Sequence, residues 1–158
     1  MNKNFAKIII LILVMTSTAC SYKPIFSEKN YNFQIGNVFF VGEKEINRII
    51  ENKLKLIKKN DDEETINYNL NIQTKKQKKI ISKDSKGDPL KFEMTILVEY
   101  NVLYEENLLL ERKIEKKNIY NNDNDLFNLE QSEKIILGNL TDSISDMIIS
   151  SIINLNDN

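Results

Sequence analysis

Histidine and tryptophan are missing from this chain, and cysteine occurs once, at Cys20. Without histidine there is no imidazole for acid–base or triad chemistry. One thiol and no imidazole leave no Cys/His set for zinc. Four glycines, none clustered, leave no glycine-rich phosphate loop and no nucleophile elbow. No cofactor, no metal site and no enzyme are therefore expected. Neither sign of charge dominates: 22 basic residues face 23 acidic ones, which makes no general case for nucleic acid. Arginine is scarce (Arg48 and Arg112) beside many lysines, isoleucines and asparagines. An AT-rich genome produces that bias, so clusters such as Asn121-Asn122 carry no functional weight.

Long apolar runs are also lacking. Ile8 to Met15 is a stretch of eight, too short for a bilayer, which takes about 20 residues. It follows Lys3 and Lys7 and precedes Ser17-Thr18-Ala19-Cys20. A basic start, a short apolar core and small residues before a cut describe a signal peptide over 1–19. A cysteine directly after the cut is the one that bacterial lipoproteins acylate, which makes Cys20 the expected lipidation site. Ser17 departs from the usual Leu or Val at its position. Two or more acyl chains hold a protein stably on its membrane. Ser21, rather than Asp, after the cysteine favours the outer membrane. Acylation of Cys20 also removes the only thiol from disulfide chemistry.

The mature part, residues 20–158, is 139 residues with a net charge of about −3, enough for one domain with a real core. Residues 20–32, broken by Pro24, read as a lipidated tether, and 33–158 as a single domain. A strand is expected over 33–41, with Phe33, Ile35, Phe39 and Val41 on one face. Gly42 ends it. Ile46, Ile49, Ile50, Leu54 and Ile57 give a helix over 43–59, with Glu43 and Glu45 at its start and Lys58 and Lys59 at its end, as the helix dipole prefers. Asp61-Asp62-Glu63-Glu64 is a solvated acidic connection. Period-two alternation then predicts strands from Ile66 to Ile80 or Ile81, from Phe92 to Tyr104 and from Leu108 to Tyr120. The turns fall at Lys86-Gly87-Asp88-Pro89 and Glu105-Glu106-Asn107. A last helix over 126–154 carries the stripe Leu126, Leu129, Ile136, Leu137, Leu140, Ile144, Met147, Ile148 and Ile152. Asp123 and Asp125 are placed to cap it, and its C-terminal end is expected to overhang the sheet.

The order β-α-β-β-β-α, each strand with one apolar face, predicts an α+β fold. It is a two-layer sandwich in which both helices cover one face of a four-stranded, largely antiparallel sheet. The strand carboxylates Glu93, Glu99, Glu111 and Glu115 alternate with apolar residues and so belong to the wet face rather than to an acid–base pair.

Three stretches resemble the lipopolysaccharide-assembly lipoproteins of the LptE family in their alphaproteobacterial form. They are Cys20-Ser21-Tyr22-Lys23-Pro24-Ile25-Phe26, the polar turn and alternating strand from Lys83 to Tyr104, and the Tyr120–Ile149 stretch with its helix NLEQSEKIILGNLTDSISDMII. Ser21 in place of Gly, lysine for arginine and an alanine-poor last helix depart from the family pattern. The resemblance implies a non-enzymatic outer-membrane lipoprotein. Such a protein assembles with and plugs a large β-barrel, the LptD partner, to form the lipopolysaccharide translocon and deliver lipopolysaccharide to the outer leaflet. Some members of the family also contact lipopolysaccharide directly through basic side chains.

Lys75, Lys76, Lys78, Lys79, Lys83, Lys86 and Lys91 lie around one hairpin with only Asp84 and Asp88 against them, and ammonium groups bind phosphate as point charges. Lysines that keep a strand edge from pairing explain the same run. Tyr22, Pro24, Phe26 and Tyr120 are candidate contacts with the barrel or the membrane interface, against the plainer reading of a linker and a turn. The competing function is a stand-alone periplasmic lipoprotein that binds lipid or serves a transporter. An apolar pocket between helices and sheet would favour it.

Overall fold

The computed structural model describes residues 33–57 and 65–156. Strand β1 (Phe33–Gly42), helix α1 (Lys44–Leu54), strands β2 (Ile66–Lys83), β3 (Pro89–Tyr104) and β4 (Asn107–Asn121), and helix α2 (Leu126–Asn156) follow the expected order. The sheet order is β1-β2-β3-β4. β1 and β2 are parallel, joined through α1, while β2, β3 and β4 form an antiparallel meander. This is the α+β fold the alternation predicts. The signal peptide, Cys20, the 20–32 tether with Tyr22, Pro24 and Phe26, and the 58–64 connection with its acidic run lie outside the described residues.

The register of β1 corrects the sequence expectation. Ile35 pairs with Tyr68, but Val38 pairs with Leu70, so one extra residue is inserted around Gly36-Asn37. A bulge of one residue inverts every side chain beyond it. Phe33 and Ile35 face the helices, and so do Val38 and Phe40. Phe39 and Val41 turn to the opposite face, where they are 64 % and 65 % exposed.

The joint between β1 and α1 is built around Thr74. Gly42 reverses the chain with φ of +107°, and a Cβ there would lie 2.0 Å from the Thr74 carbonyl oxygen. The Glu43 N–H donates to Thr74 Oγ1 at 2.9 Å, and the Thr74 hydroxyl donates to Asn47 Oδ1 at 2.6 Å. Glu43 itself makes no side-chain cap; the buried threonine of β2 serves the helix start instead. α1 then buries Ile46, Ile50 and Leu54, spaced by four, and ends in a turn over 55–57 rather than running to residue 59.

α2 is capped as expected: Asp125 Oδ1 accepts from the N–H of Phe127 at 2.9 Å and of Asn128 at 3.4 Å. Its C-terminal half does not overhang. Ile144, Ile148, Ile149 and Ile152 are buried, and the Tyr100 hydroxyl meets Ser151 Oγ at 2.6 Å. The buried stripe also contains Thr141 and Ser145, whose hydroxyls donate to the carbonyls of Leu137 (2.7 Å) and Thr141 (2.8 Å). Satisfied within their own helix, they cost little to bury. By length and composition α2 could cross a membrane, but its stripe packs on the sheet as a core helix. Lys53 of α1 reaches Asp146 of α2 at 3.3 Å. Both helices thus share one face of the sheet, and the other face stays open.

Candidate functional site

β1 pairs with β2 only as far as Gly42 and Thr74. Beyond that point β2 runs on for nine residues with β3 as its strand neighbour. The predicted lysines lie on this projecting hairpin, and the pleat sorts them. Lys75 and Lys79 share the open face with Gln73. Lys76 and Lys78 share the helix face with Thr74.

Lys78 is already engaged. Its Nζ bonds Glu133 Oε1 of α2 at 2.5 Å and stands 4.0 Å from the centre of the Phe92 ring. The Tyr120 hydroxyl donates to the same carboxylate oxygen at 2.8 Å, and the Phe92 and Tyr120 rings are 5.7 Å apart. Burial disfavours the Glu133 carboxylate, but the bonds from Lys78 and Tyr120 outweigh it and hold the acid below its usual range. Burial, reinforced by Glu133, pushes the Tyr120 phenol up. This cluster pins the first half of α2 to the sheet. Tyr120 is therefore a buried anchor, and contact with a barrel would require its side chain to leave that site. Lys76 lines an open crevice of about 220 Å³ with Glu45, Glu130 and Glu133 and lowers the Glu133 carboxyl through its charge, without an ion pair as close as that of Lys78.

Lys83, Lys86 and Lys91 gather at the tip. Asp84 organises the turn: its Oδ1 accepts from the N–H groups of Lys86 and Asp88, both at 2.8 Å, and Gly87 takes φ of +95°. Lys83 and Lys86 flank the turn in solvent, and Lys91 pairs with Ser82 on the returning strand. The same end of the molecule is apolar. Ile80, Ile81 and Leu90 are exposed on the hairpin. The Asn122 N–H donates to the Leu90 carbonyl at 2.8 Å, which brings the start of α2 alongside. There Leu126 is 73 % exposed and Phe127 66 %. The spacing of Leu126 places it on the core stripe, but its exposure shows that it lies outside the core. The pair Leu126-Phe127 at a helix start was the available signal, and helical periodicity masked it.

The assembled end is amphiphilic: several ammonium groups beside exposed aliphatic and aromatic side chains. Among the described residues no group of three acidic, histidine or cysteine side chains could hold a metal ion. At the other end of the open face Phe39 and Val41 line a shallow groove of about 290 Å³ with Asn71, Gln73 and Glu99. A crevice of about 310 Å³ between α1 and β1, lined by Ile35, Val38, Phe40 and Leu54, opens at the sheet edge rather than inside the core.

No family model and no curated protein matches the chain. Solved structures do. The crystal structure of the rare lipoprotein B from Shewanella oneidensis superposes with a TM-score of 0.60 at 20% identity, over 75% of this chain and 92% of that one. The chain has the fold of rare lipoprotein B. A second structure with the rare lipoprotein B fold, an uncharacterized lipoprotein B from Nitrosomonas europaea, gives a TM-score of 0.59 at 17% identity, covering 77% of this chain and 83% of that one. A minor lipoprotein from Acinetobacter baumannii gives 0.53 at 13% identity, covering 77% and 94%. At these identities the likeness speaks for the fold. The proteins that share the rare lipoprotein B fold here carry lipoprotein names rather than enzyme names.

Proposed function

We propose that the chain is an outer-membrane lipoprotein of the LptE type, anchored through acylated Cys20, that assembles with and plugs an LptD-like β-barrel and aids lipopolysaccharide delivery to the outer leaflet. One observation carries the reading: the rare lipoprotein B fold presents, at the end formed by the hairpin tip and the start of α2, lysines beside exposed apolar side chains. A phosphorylated, acylated glycolipid offers the complementary groups, anionic phosphate and hydrocarbon. The lysine set then centres on Lys79, Lys83, Lys86 and Lys91, because Lys78 is tied to Glu133, Lys76 faces the same carboxylate on the helix side, and Lys75 stands farther down the strand. Signal peptide 1–19, tether 20–32 and domain 33–158 complete the proposed organisation. The role is non-enzymatic.

The test is a pull-down of the tagged lipoprotein from detergent-solubilised envelopes, with mass spectrometry of what survives stringent washing. A large β-barrel in near-stoichiometric amount supports the translocon role. A clean lipoprotein from cells that express such a barrel overturns it and points to a stand-alone lipid carrier.

A further inference from the structure

We propose that, in the lipoprotein not yet assembled with a barrel, the outer edge of β4 is a self-association edge, on which β4 of a second copy adds in antiparallel to give one continuous sheet across the two molecules. β4 is the last strand of the sheet, and over its 15 residues its strand partner among the described residues is β3 alone. The backbone groups of its other side form a template for one more strand.

What selects the occupant is the order of charges. Glu111, Lys113, Glu115 and Lys117 follow one another along the open face. Both lysines pair inward: Lys113 reaches Glu99 at 2.8 Å and Lys117 lies 4.0 Å from Glu93. Among the described residues neither carboxylate makes an ion pair across to β3, where Glu111 stands opposite Asn101 and Glu115 opposite Leu97, although Glu115 acts on Lys113 along its own strand. A two-fold axis through Ile114 supplies a cross-strand partner to each. It sets Glu111 against Lys117 of the second copy and Glu115 against Lys113 of the second copy, each pairing occurring twice. Leu109 and Ile119, both exposed, meet at the ends of the same row.

No neighbouring register does this. A slip of one residue sets the open face against the helix face. Centring the axis on residue 113 or 115 opposes lysine with lysine and glutamate with glutamate, and like charges directly opposite destabilise a strand pair. On the helix side the favoured register brings Ile114 onto its own copy. It leaves one kind of like-charged pairing, Arg112 across from Lys116, which also occurs twice, between long flexible side chains. The free edge of β2 shows the contrast. Its lysines at 75, 76, 78, 79 and 83 would oppose lysines in self-pairing, the usual protection of an exposed edge. β4 alternates signs instead, and the register centred on Ile114 gives that alternation its largest number of opposite-charge pairings.

The experiment is sedimentation of the full lipidated chain in detergent, with two variants that make the edge all-acidic (Lys113→Glu/Lys117→Glu) or all-basic (Glu111→Lys/Glu115→Lys). The unmodified chain should dimerise within about 1–200 µM, each variant should lose affinity at least about tenfold, and an equimolar mixture of the two should form a mixed dimer. Circular dichroism of each variant checks that the sheet is intact, and the mixed dimer is a gain that damage to the fold does not give. An unmodified chain that stays monomeric to about 1 mM overturns the proposal. So does a dimer that both variants retain, or a mixture that remains two monomers.

Discussion

A Cβ at Gly42 would meet the Thr74 carbonyl oxygen at 2.0 Å, in a backbone conformation with φ of +107° that L side chains rarely adopt. The neighbouring backbone belongs to the middle of β2 and has nowhere to go, so Gly42→Ala should cost at least about 3 kcal/mol, clash and left-handed strain together. At Gly138, inside α2, a Cβ would meet nothing within 4 Å. The glycine there brings neither close packing nor a special φ, only the entropic penalty of glycine in a helix. Gly138→Ala should therefore stabilise the protein by about 1 kcal/mol. Urea midpoints of the two variants check both signs at once. An unchanged midpoint for Gly42→Ala would mean that the β1–α1 joint is looser than its geometry shows.

Elements differ in how far the sequence discloses them. β3 is read at sight, because Phe92, Met94, Ile96, Val98, Tyr100 and Val102 alternate without interruption and all are buried. β1 is not. Its residues alternate too, but the extra residue near Gly36 exchanges the faces, and nothing in the pattern marks where the phase changes. The middle of α2 escapes for another reason. Thr141 and Ser145 are buried on self-satisfied hydroxyls, and Glu133 is half-buried because Lys78 and Tyr120 come to it from other elements. Sequence spacing sees neither arrangement. For the candidate site, the lysines were visible as a run, whereas their division between two faces and two partners required the hairpin and α2 to be in place. The β3–β4 turn holds an independent lesson. Glu105 and Glu106 both sit at positive φ, +45° and +68°, where glutamate has no compensation and Asn-Gly is preferred. Glu105→Asn/Glu106→Gly should raise stability by roughly 1 kcal/mol, visible as a higher melting temperature with unchanged circular dichroism.

At the scale of the whole molecule, stability should form a plateau in pH. Burial raises the phenols of Tyr68, Tyr100 and Tyr120 above their ordinary 10.0. The neutral phenols thus favour the folded state, fully so below pH 10.0, and their contribution fades as pH rises towards the folded-state values. Glu133 has the opposite sign. Its lowered pKa supports the fold above its ordinary 4.5, and that support is lost as pH falls through the folded value. Melting temperature against pH should be flat between these limits and fall on both sides. Tyr120→Phe should soften the alkaline limb, and Glu133→Gln the acid one.

The long axis of the molecule also separates two kinds of surface. The β3–β4 turn and the start of β1 lie at one end. The lysine hairpin and the start of α2 lie at the other, and α2, with 31 residues, is about 46 Å long. If the lysine end takes a phosphorylated amphiphile, its two surfaces should fail differently. Reversing Lys79, Lys83 and Lys86 to glutamate should weaken binding to lipopolysaccharide micelles at least about tenfold at low salt, an effect that shrinks near 0.5 M salt as exposed charges are screened. Leu126→Ser/Phe127→Ser should weaken it by a similar factor at either ionic strength, since apolar burial is not screened. Lys78→Met supplies the internal control. That lysine is tied to Glu133, so the variant should lose about 1 kcal/mol of stability and little affinity. Fluorescence titration of labelled micelles at two salt concentrations separates the three cases. Binding retained by both the charge-reversed and the serine variants would remove this end of the molecule from lipopolysaccharide recognition and leave the tip lysines as guards of an unpaired strand.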